Sequence, residues 1–388
     1  MSATSAWLGE VLLGTAGAVG SDVVVDPDGA ALRAGVVAER LGLAPARRAC
    51  LVVVDGLGLH NLLAAGTAVA PALAGAPRSA LRSAFPSTTA TNMAALGTGL
   101  PGGRTGLLGY TVRDPATGRL LNLISWHGGP EPTTWQRHPT VFELMAERDE
   151  LAVSVGPWEF DGSPLTRAAL RGAEYESAES LADRVDRTLE VLAEPDVRLT
   201  TMYWGDVDKT GHHHGWRSEE WRTELAHLDT QLARLAASVP PGTLLLVTAD
   251  HGMIDVPRGD SEVFGGPARL DVAARPGLAD GVALVAGEPR TCHVHAEPGA
   301  AAAVLASWRA ELGERADVRT RDEAIAAGWF GEVEDRFRPV VGDVVAAMRG
   351  DVAVVDSRTQ TAASLELVGM HGSRTDAETT VPLIRLAP

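Results

Sequence analysis

Three runs of apolar residues, each followed by acidic or histidine residues, dominate the hydrophobic pattern of the chain. They span residues 49–54, 197–204 and 244–249. Short apolar runs of this kind, bounded by Gly or Pro, are typical of strands buried on both faces of a parallel sheet. Ligands bind outside the carboxyl ends of such strands in open α/β sheets. The pattern therefore predicts an α/β fold with a mostly parallel sheet and a functional edge.

Helical periodicity separates these runs. Apolar residues recur at helical spacing in 181–192 and again in 219–238, where Pro240 and Pro241 follow. Thr140 and Glu143 have the spacing of a capping box, which predicts that a helix begins there. We therefore expect helices to pack against the sheet, with the helix at 219–238 connecting two strands in a crossover unit.

The composition and the pattern of predicted elements change between residues 255 and 361. Pro and Gly are frequent at first, and a strand-like segment (291–296) and a helix-like segment (300–312) follow. We predict that 255–361 form a smaller α+β cap domain that is inserted into the core. Residues 1–254 and 362–388 then form the catalytic core, which regains a strand-like pattern at 381–386.

Charge narrows the classes of partner. The chain of 388 residues has 34 Lys and Arg against 50 Asp and Glu, a formal net charge of −16. Binding to a nucleic acid polymer depends on clustered Lys and Arg, so we expect no such partner. A small phosphorylated substrate stays compatible with this charge, because a bound metal ion can reverse the local field.

The cysteines and the N-terminal segment carry no special signal. Cys50 and Cys292 are far apart in the sequence and fit neither a disulfide framework nor a cysteine metal site. The apolar segment 7–20 contains Glu10, follows no basic residue and is too short to span a bilayer. We therefore expect an ordinary helix there, no membrane association and a cytoplasmic location.

Acidic and histidine residues follow the apolar runs in a recurring arrangement. Asp55 and the pair Asp250-His251 come directly after strands, and Asp208 and His212 are four residues apart, so that their side chains can converge. Each alone could be a solvated turn residue, and this holds for His371, which lies between Met370 and a glycine. Together they form one candidate set of ligands: Asp55, Asp208, His212, Asp250, His251 and His371.

Three carboxylates and three imidazoles suit a pair of divalent metal ions. The mixture of nitrogen and oxygen donors favours Zn²⁺ over Mg²⁺ or Ca²⁺, and Mn²⁺ or Fe²⁺ would also fit. Hydroxyl residues at 87–91 precede a short helix-like segment around Met93. They could act as N-caps or could include a nucleophile at a helix N-terminus, where free N–H groups favour phosphate.

In this order, the motifs VVVDGLG, FPSTTATN followed by GTGLP, DVDKTGHHHG, TADHG and GMHG resemble the alkaline phosphatase superfamily, specifically its type I phosphodiesterase/nucleotide pyrophosphatase branch. The resemblance covers 49–254 and 365–388 and implies an alkaline-phosphatase-like core. It implies that Thr89 is the nucleophile and a metal ligand, with Thr88 and Thr91 as alternatives. It also implies that Asp55, Asp250 and His251 bind one metal ion, and that Asp208, His212 and His371 bind the other.

The resemblance departs from the family pattern at one position. An Asn that helps to hold a phosphate oxygen in the diesterases corresponds here to Tyr110. A phenol can donate one hydrogen bond, so we take Tyr110, with Asn92, as the candidate substrate-binding residues.

The predicted function is a two-metal hydrolase of small phosphate esters, namely a phosphodiesterase or nucleotide pyrophosphatase that forms a covalent phospho-threonine intermediate. One alternative is a phosphonoacetate-type phosphonate hydrolase or a phosphomonoesterase, because the tail HGSRTDAETTVPLI resembles phosphonoacetate hydrolases. Another is a catalytically inactive binding module that retains the sheet.

Overall fold

A central seven-stranded sheet organises the molecule. The structure is a computed structural model that describes residues 6–27 and 29–386. The five strands from Thr243–Thr248 to Glu174–Ser177 each pair in parallel with the next one. The strand Thr380–Leu386 pairs antiparallel with both of its neighbours, Thr243–Thr248 and Arg78–Arg82. The prediction of a mostly parallel sheet is thus confirmed. In spatial order, the strands are Arg78–Arg82, Thr380–Leu386, Thr243–Thr248, Arg48–Val54, Val197–Trp204, Leu151–Gly156 and Glu174–Ser177.

The three predicted apolar runs are adjacent strands at the centre of this sheet. Every residue of Arg48–Val54 is buried. Because successive side chains of a strand point to opposite faces, helices and loops must cover both faces of the sheet. The helices before residue 240 are Gly9–Ala18, Ala34–Arg40, Leu59–Ala65, Pro71–Gly75, Thr89–Thr98, Gly102–Thr105, Pro132–Trp135, Val141–Ala146, Pro164–Ala169, Leu181–Ala193, Asp206–His214 and Glu219–Ser238.

Several of these helices begin as the sequence predicts. Thr140 and Glu143 form both hydrogen bonds of the capping box at the start of Val141–Ala146. The predicted helix near the N-terminus is Gly9–Ala18, and nearly all of its residues are buried. Among the described residues, none of the helices combines the length and the apolar character needed to cross a bilayer.

A second, antiparallel sheet of six strands lies in the other part of the molecule. It packs with the helix Ala301–Leu312 around its own apolar core, which includes Trp308. Two of its strands come from residues 111–122, within the range predicted to be core. The other four strands lie within 255–361, and a cap domain with those bounds stays a prediction. The strands are, in spatial order, Ala316–Thr320, Val344–Met348, Thr291–Ala296, Val282–Glu288, Thr111–Arg113 and Leu120–Asn122.

Short elements complete the described fold. They are the strands Val24–Val25, Leu32–Arg33, Ile254–Asp255, Arg269–Asp271, Ala353–Val355 and Gly369–Met370, the helices Pro276–Ala279, Arg321–Ala326, Ala362–Leu365 and Asp376–Thr379, and the 3-10 turns Trp158–Phe160, Val272–Ala274, Gly313–Arg315 and Asp335–Phe337.

Candidate metal centre

The predicted ligands meet at the carboxyl edge of the central strands. The Nε2 atom of His212 lies 3.1 Å from Oδ2 of Asp208 and 3.3 Å from Nε2 of His371. One ligand atom from each of these three residues fits within 4.8 Å of the others. They thus form a first group that could hold a metal ion.

A second group adjoins the first. Ligand atoms of Asp55, Asp208 and His251 also lie within 4.8 Å of one another. His251 Nε2 is 3.4 Å from Asp55 Oδ1 and 3.3 Å from Asp250 Oδ2. The sequence assigned Asp250 to this group and Asp208 only to the first, whereas the geometry places Asp208 between the two. The His251 and His371 rings stack with centroids 3.6 Å apart, so the groups are immediate neighbours.

Backbone carbonyls orient all three imidazoles. The Nδ1 atoms of His212, His371 and His251 lie 2.7 Å from Gly369 O, 2.9 Å from Ser87 O and 3.2 Å from Gly252 O, respectively. A carbonyl oxygen can only accept a hydrogen bond, so each Nδ1 carries a proton and donates it. Each Nε2 is therefore directed to the centre with its lone pair available, which is the arrangement that metal-binding histidines require.

The carboxylates leave oxygens free for a cation. Asp55 Oδ1, Asp208 Oδ1 and Asp250 Oδ2 are buried without a hydrogen-bond partner in the part of the chain that is described. Two of these residues have their other oxygen occupied: Asp55 Oδ2 accepts from the Tyr203 hydroxyl, and Asp250 Oδ1 accepts from the backbone N–H groups of Gly56 and His251. A buried, unpaired carboxylate oxygen is costly unless a cation neutralises it. The donor set thus fits divalent metal ions.

The pKa shifts of the residues in the centre are also consistent with metal binding. Burial, and then the neighbouring carboxylates of Asp250 and Asp208, raise the pKa of Asp55 well above its usual range. Burial and the neighbouring His251 hold the pKa of His371 well below its usual range, so this imidazole stays neutral and can bind a metal ion. Burial lowers the pKa of His212, but the neighbouring carboxylate of Asp208 outweighs this effect, and the pKa is raised. A proton and a metal ion therefore compete for the same position, and metal binding should weaken as the pH falls.

The hydroxyl of Thr89 lies at this centre. Thr89 is the first residue of the helix Thr89–Thr98, and its Oγ1 is 3.3 Å from His251 Nε2. Thr88 precedes the helix as its N-cap residue, but its side chain makes no capping hydrogen bond. The oxygen of Thr91 is buried without a hydrogen-bond partner among the described residues. Of the three threonines, Thr89 is the one whose hydroxyl contacts a candidate ligand.

Glycines allow the ligand-bearing loops to approach one another closely. Gly56 has a positive φ of 72°, and a Cβ atom there would lie 2.8 Å from Oδ1 of Asp208. A Cβ at Gly211 would lie 2.4 Å from the Met253 sulfur. Side chains at either position would push apart the segments that carry Asp55, Asp208 and His251. The motif glycines are thus required by packing at the centre.

A buried ion pair anchors the segment that carries His371. Arg290, beside the second sheet, pairs with Glu378 at 2.8 Å, and both side chains are fully buried. Glu378 Oε1 also accepts from the backbone N–H of Ser373, 3.0 Å away. Removing one partner of such a pair typically destabilises a protein by about 3–5 kcal/mol. The pair fixes the loop after His371 against the second sheet.

The two candidate substrate-binding residues have different surroundings. Asn92 is fully buried, its Oδ1 accepts from the N–H of Ala84 at 2.7 Å, and its Nδ2 donates to Thr88 O at 3.2 Å. Both of its polar groups hold the loop before Thr89, and contact of Asn92 with substrate stays a prediction. Tyr110 is 47% exposed and lies at the mouth of the site, where contact with substrate stays a prediction.

Two cavities open beside the centre. The first, of about 580 Å³, extends from Thr89 and Asp55 between apolar side chains that include Phe160 and Leu165. The second, of about 560 Å³, is walled by the strand end at Glu288 and by residues 354–367. Thr88, Tyr110, His212 and His371 line both cavities. The metal centre thus has room for a substituent on either side.

Sequence reasoning missed two polar residues of the site. Tyr203 donates a hydrogen bond to Asp55 Oδ2. Nothing in the sequence marks this tyrosine among the other residues of its strand. Glu288 ends a strand at the second cavity, and burial raises its pKa to about 8. An acid at the end of an apolar run is the signal that identified Asp55 and Asp250, so Glu288 could have been found.

His293 and His295 are not part of the centre. Both are buried in the second sheet, and burial lowers the pKa of each to about 3. His293 Nδ1 accepts a hydrogen bond from the N–H of Gly342, 3.2 Å away. These histidines are therefore neutral members of a packed interior.

Replacing Tyr203 with phenylalanine should weaken metal binding. The hydroxyl holds Asp55 Oδ2, and losing such a supporting partner typically lowers metal affinity by about 10- to 100-fold. The ring, which packs against Phe160 at a centroid distance of 5.6 Å, would remain. The metal concentration that gives half-maximal activity, in metal-buffered solutions, would measure the change. Tyr175→Phe is the control, because its hydroxyl donates to Pro157 O in the same cavity; an equal shift in both variants would contradict the role of Tyr203.

Comparisons with known proteins agree with the geometry. The family model described as type I phosphodiesterase / nucleotide pyrophosphatase matches residues 49–374. Ectonucleotide pyrophosphatase/phosphodiesterase family member 7 of Homo sapiens is 30% identical over 114 residues, and that of Mus musculus is 29% identical over 111 residues. The match spans 27% of this chain and only 25% of the length of each of these relatives.

Solved structures share the fold. Murine ectonucleotide pyrophosphatase/phosphodiesterase 5 has a TM-score of 0.69 at 18% identity, with 88% of both chains covered. An inactive threonine-to-alanine variant of that protein, in complex with AMP, has a TM-score of 0.67 at 16% identity, with 87% of both chains covered. Phosphonoacetate hydrolase from Sinorhizobium meliloti 1021, in complex with phosphonoformate, has a TM-score of 0.69 at 20% identity, with 95% of this chain and 94% of that chain covered.

Proposed function

Because the chain belongs to the type I phosphodiesterase / nucleotide pyrophosphatase family, we propose that it is a metal-dependent phosphodiesterase whose nucleophile is Thr89. The observation that carries this proposal is the contact of the Thr89 hydroxyl with His251, a member of the second group of candidate ligands. A structural relative in which a threonine is replaced by alanine is described as inactive and binds AMP, which supports both a threonine nucleophile and a small phosphorylated ligand.

The donor set favours two Zn²⁺ ions, with Mn²⁺ or Fe²⁺ as alternatives. Asp208, His212 and His371 would hold one ion, and Asp55, Asp250 and His251 would hold the other together with Thr89. Divalent ions at these positions lower the pKa of a bound hydroxyl and neutralise charge that develops on phosphoryl oxygens. Asp208 adjoins both groups and would contribute to both sites.

The residues of the chain perform the remaining steps. Thr89 Oγ1 gives up its proton to solvent and attacks phosphorus, so that a new oxygen–phosphorus bond forms. The bond to the leaving group breaks, and the departing oxygen takes up a proton from solvent to give the alcohol. The N-terminal N–H groups of the helix Thr89–Thr98 are oriented to stabilise the phosphoryl oxygens. Water then attacks the phospho-threonine, which releases the phosphate product and restores the Thr89 hydroxyl.

A phosphonoacetate-type phosphonate hydrolase is the second candidate. It is favoured by the similarity of fold to phosphonoacetate hydrolase, which extends over 95% of this chain. The phosphodiesterase is preferred because the centre opens into a cavity on each side, so that a phosphorus atom with two organic substituents can be accommodated.

A panel of chromogenic substrates tests this choice. We expect bis(p-nitrophenyl) phosphate to be hydrolysed faster than p-nitrophenyl phosphate or p-nitrophenyl phenylphosphonate in the presence of Zn²⁺ or Mn²⁺. Hydrolysis should stop when a chelator removes the metal ions and resume when they are restored. Faster hydrolysis of the phosphonate would favour the second candidate. No turnover with any metal, together with no bound metal by elemental analysis, would leave an inactive binding module.

A further inference from the structure

Neither cavity beside the metal centre has a cationic side chain in its wall. Among the described residues that line the two cavities, no lysine or arginine occurs. Glu159 lines the first cavity, and Glu288 and Asp356 line the second. An anionic substituent on the substrate would therefore enter a cavity in which the protein offers it no opposite charge.

Two arginines adjacent in sequence to residues of the second cavity wall are already engaged: Arg290 pairs with Glu378, and Arg358 pairs with Asp356. Arg358 forms two hydrogen bonds with Asp356, at 2.8 Å and 2.7 Å, and does not line the cavity. Its pairing neutralises Asp356. Glu288 is then the one acid of this wall without an ion pair among the described residues.

Glu288 still has a hydrogen-bonding position to fill. Its Oε2 accepts from the backbone N–H of Tyr110 at 2.8 Å, and the Thr88 hydroxyl lies beside the carboxyl group, whereas Oε1 makes no hydrogen bond of normal geometry among the described residues. The residue is 9% exposed, so bulk water does not readily satisfy this oxygen. A positively charged or hydrogen-bond-donating substituent in the cavity would stabilise the carboxylate of Glu288, which lines the wall.

The charge of the phosphoryl group is met elsewhere. The centre itself combines three carboxylates with sites for divalent cations, so a single phosphoryl group finds its opposite charge there. A second phosphate or a carboxylate on the same substrate would have to lie in one of the cavities. It would lose its hydration there without gaining a cationic partner.

We propose that the phosphoryl group is the only anionic group of the substrate, and that the substituent in the second cavity is uncharged or cationic and donates hydrogen bonds to Glu288. This inference rests on the proposed phosphodiesterase function. Such a site would favour simple phosphodiesters over pyrophosphates, nucleoside polyphosphates and phosphonates that carry a carboxylate.

A series of substrates that differ only in charge tests the inference. The probes are phosphodiesters with one p-nitrophenyl group and a second group that is ethyl, guanidinoethyl or carboxymethyl. The assay uses the metal-loaded protein at a pH of about 9, above the raised pKa of Glu288, where the guanidinium stays protonated. We expect kcat/KM for the guanidinoethyl ester to exceed that for the carboxymethyl ester by about tenfold or more.

Substitutions at two positions, Glu288 and Thr359, test whether the effect arises in the second cavity. Glu288→Gln should lower the ratio of guanidinoethyl to ethyl ester hydrolysis, because it removes the charge and keeps the shape. Thr359→Lys, at an exposed position of the cavity wall, should raise the ratio of carboxymethyl to ethyl ester hydrolysis. Thr359→Met, which has no charge, should leave that ratio unchanged.

The outcomes separate this inference from the proposed function. Hydrolysis of all three esters with similar kcat/KM, or a preference for the carboxymethyl ester, would overturn the inference while the phosphodiesterase function stands. An unchanged guanidinoethyl preference in Glu288→Gln would overturn the role of Glu288. Hydrolysis of none of the esters would overturn the proposed function and this inference with it.

Discussion

Replacing Thr89 with alanine is expected to reduce phosphodiester hydrolysis by on the order of 10³-fold or more, because it removes the attacking oxygen. The loss should appear in kcat, since the cavities and the six candidate ligands remain. Release of p-nitrophenolate measures turnover, and elemental analysis measures bound metal. We expect the metal content to stay near that of the wild type, because carboxylates and imidazoles supply most of the ligand atoms.

Two further variants separate a nucleophile from a structural residue. Thr89→Ser keeps a hydroxyl at the same position and should retain measurable activity. Thr91→Ala removes a buried hydroxyl from the same helix and should retain activity with little change in metal content. Full activity in Thr89→Ala, or its loss only in Thr91→Ala, would require that the nucleophile be reassigned to Thr91 or Thr88.

Replacing Asp208 with asparagine should have the second largest effect. Asp208 contributes to both groups of candidate ligands, so removing its charge weakens both sites, whereas each histidine of the centre belongs to one group. We expect the bound metal to fall below one ion per chain and turnover to fall by on the order of 10³-fold. Elemental analysis after dialysis and the rate with bis(p-nitrophenyl) phosphate would test this.

Asp206→Asn is the matched control for Asp208→Asn. Asp206 lies on the same helix, is exposed and belongs to neither group. It should retain metal and activity. If Asp208→Asn also bound two ions per chain, Asp208 would not be a ligand, and the two groups of candidate ligands would have to be reassigned.

The sequence was sufficient to predict which acidic and histidine residues lie close together, because most of these residues follow the apolar runs that form the central strands. Asp55 and Asp250 follow apolar runs that can only be buried strands, and buried parallel strands end at a common edge. The run at 197–204 corresponds to the strand Val197–Trp204 with the same bounds. A strand and the residues that follow it are contiguous in the chain, so both can be identified without coordinates.

Contacts between distant segments could not be predicted in this way. The hydrogen bond from Tyr203 to Asp55 depends on which strands are neighbours, and the order of strands is not a local property. Residues 111–122 join the second sheet for the same reason. The hydrogen bonds of Asn92 to the backbone of Ala84 and Thr88 could not be predicted either, because a position near Thr89 in the sequence does not reveal which groups the amide contacts.

The position of the strand Thr380–Leu386 has a consequence for biosynthesis. It lies between Arg78–Arg82 and Thr243–Thr248, so two strands that are translated early remain apart until this late segment is inserted. His371 also reaches Ser87 O only when this part of the chain has left the ribosome. Nascent chains that stall before residue 371 would lack a ligand and an interior strand. The group of Asp208, His212 and His371 is therefore completed only at the end of synthesis, later than the group of Asp55, Asp208 and His251.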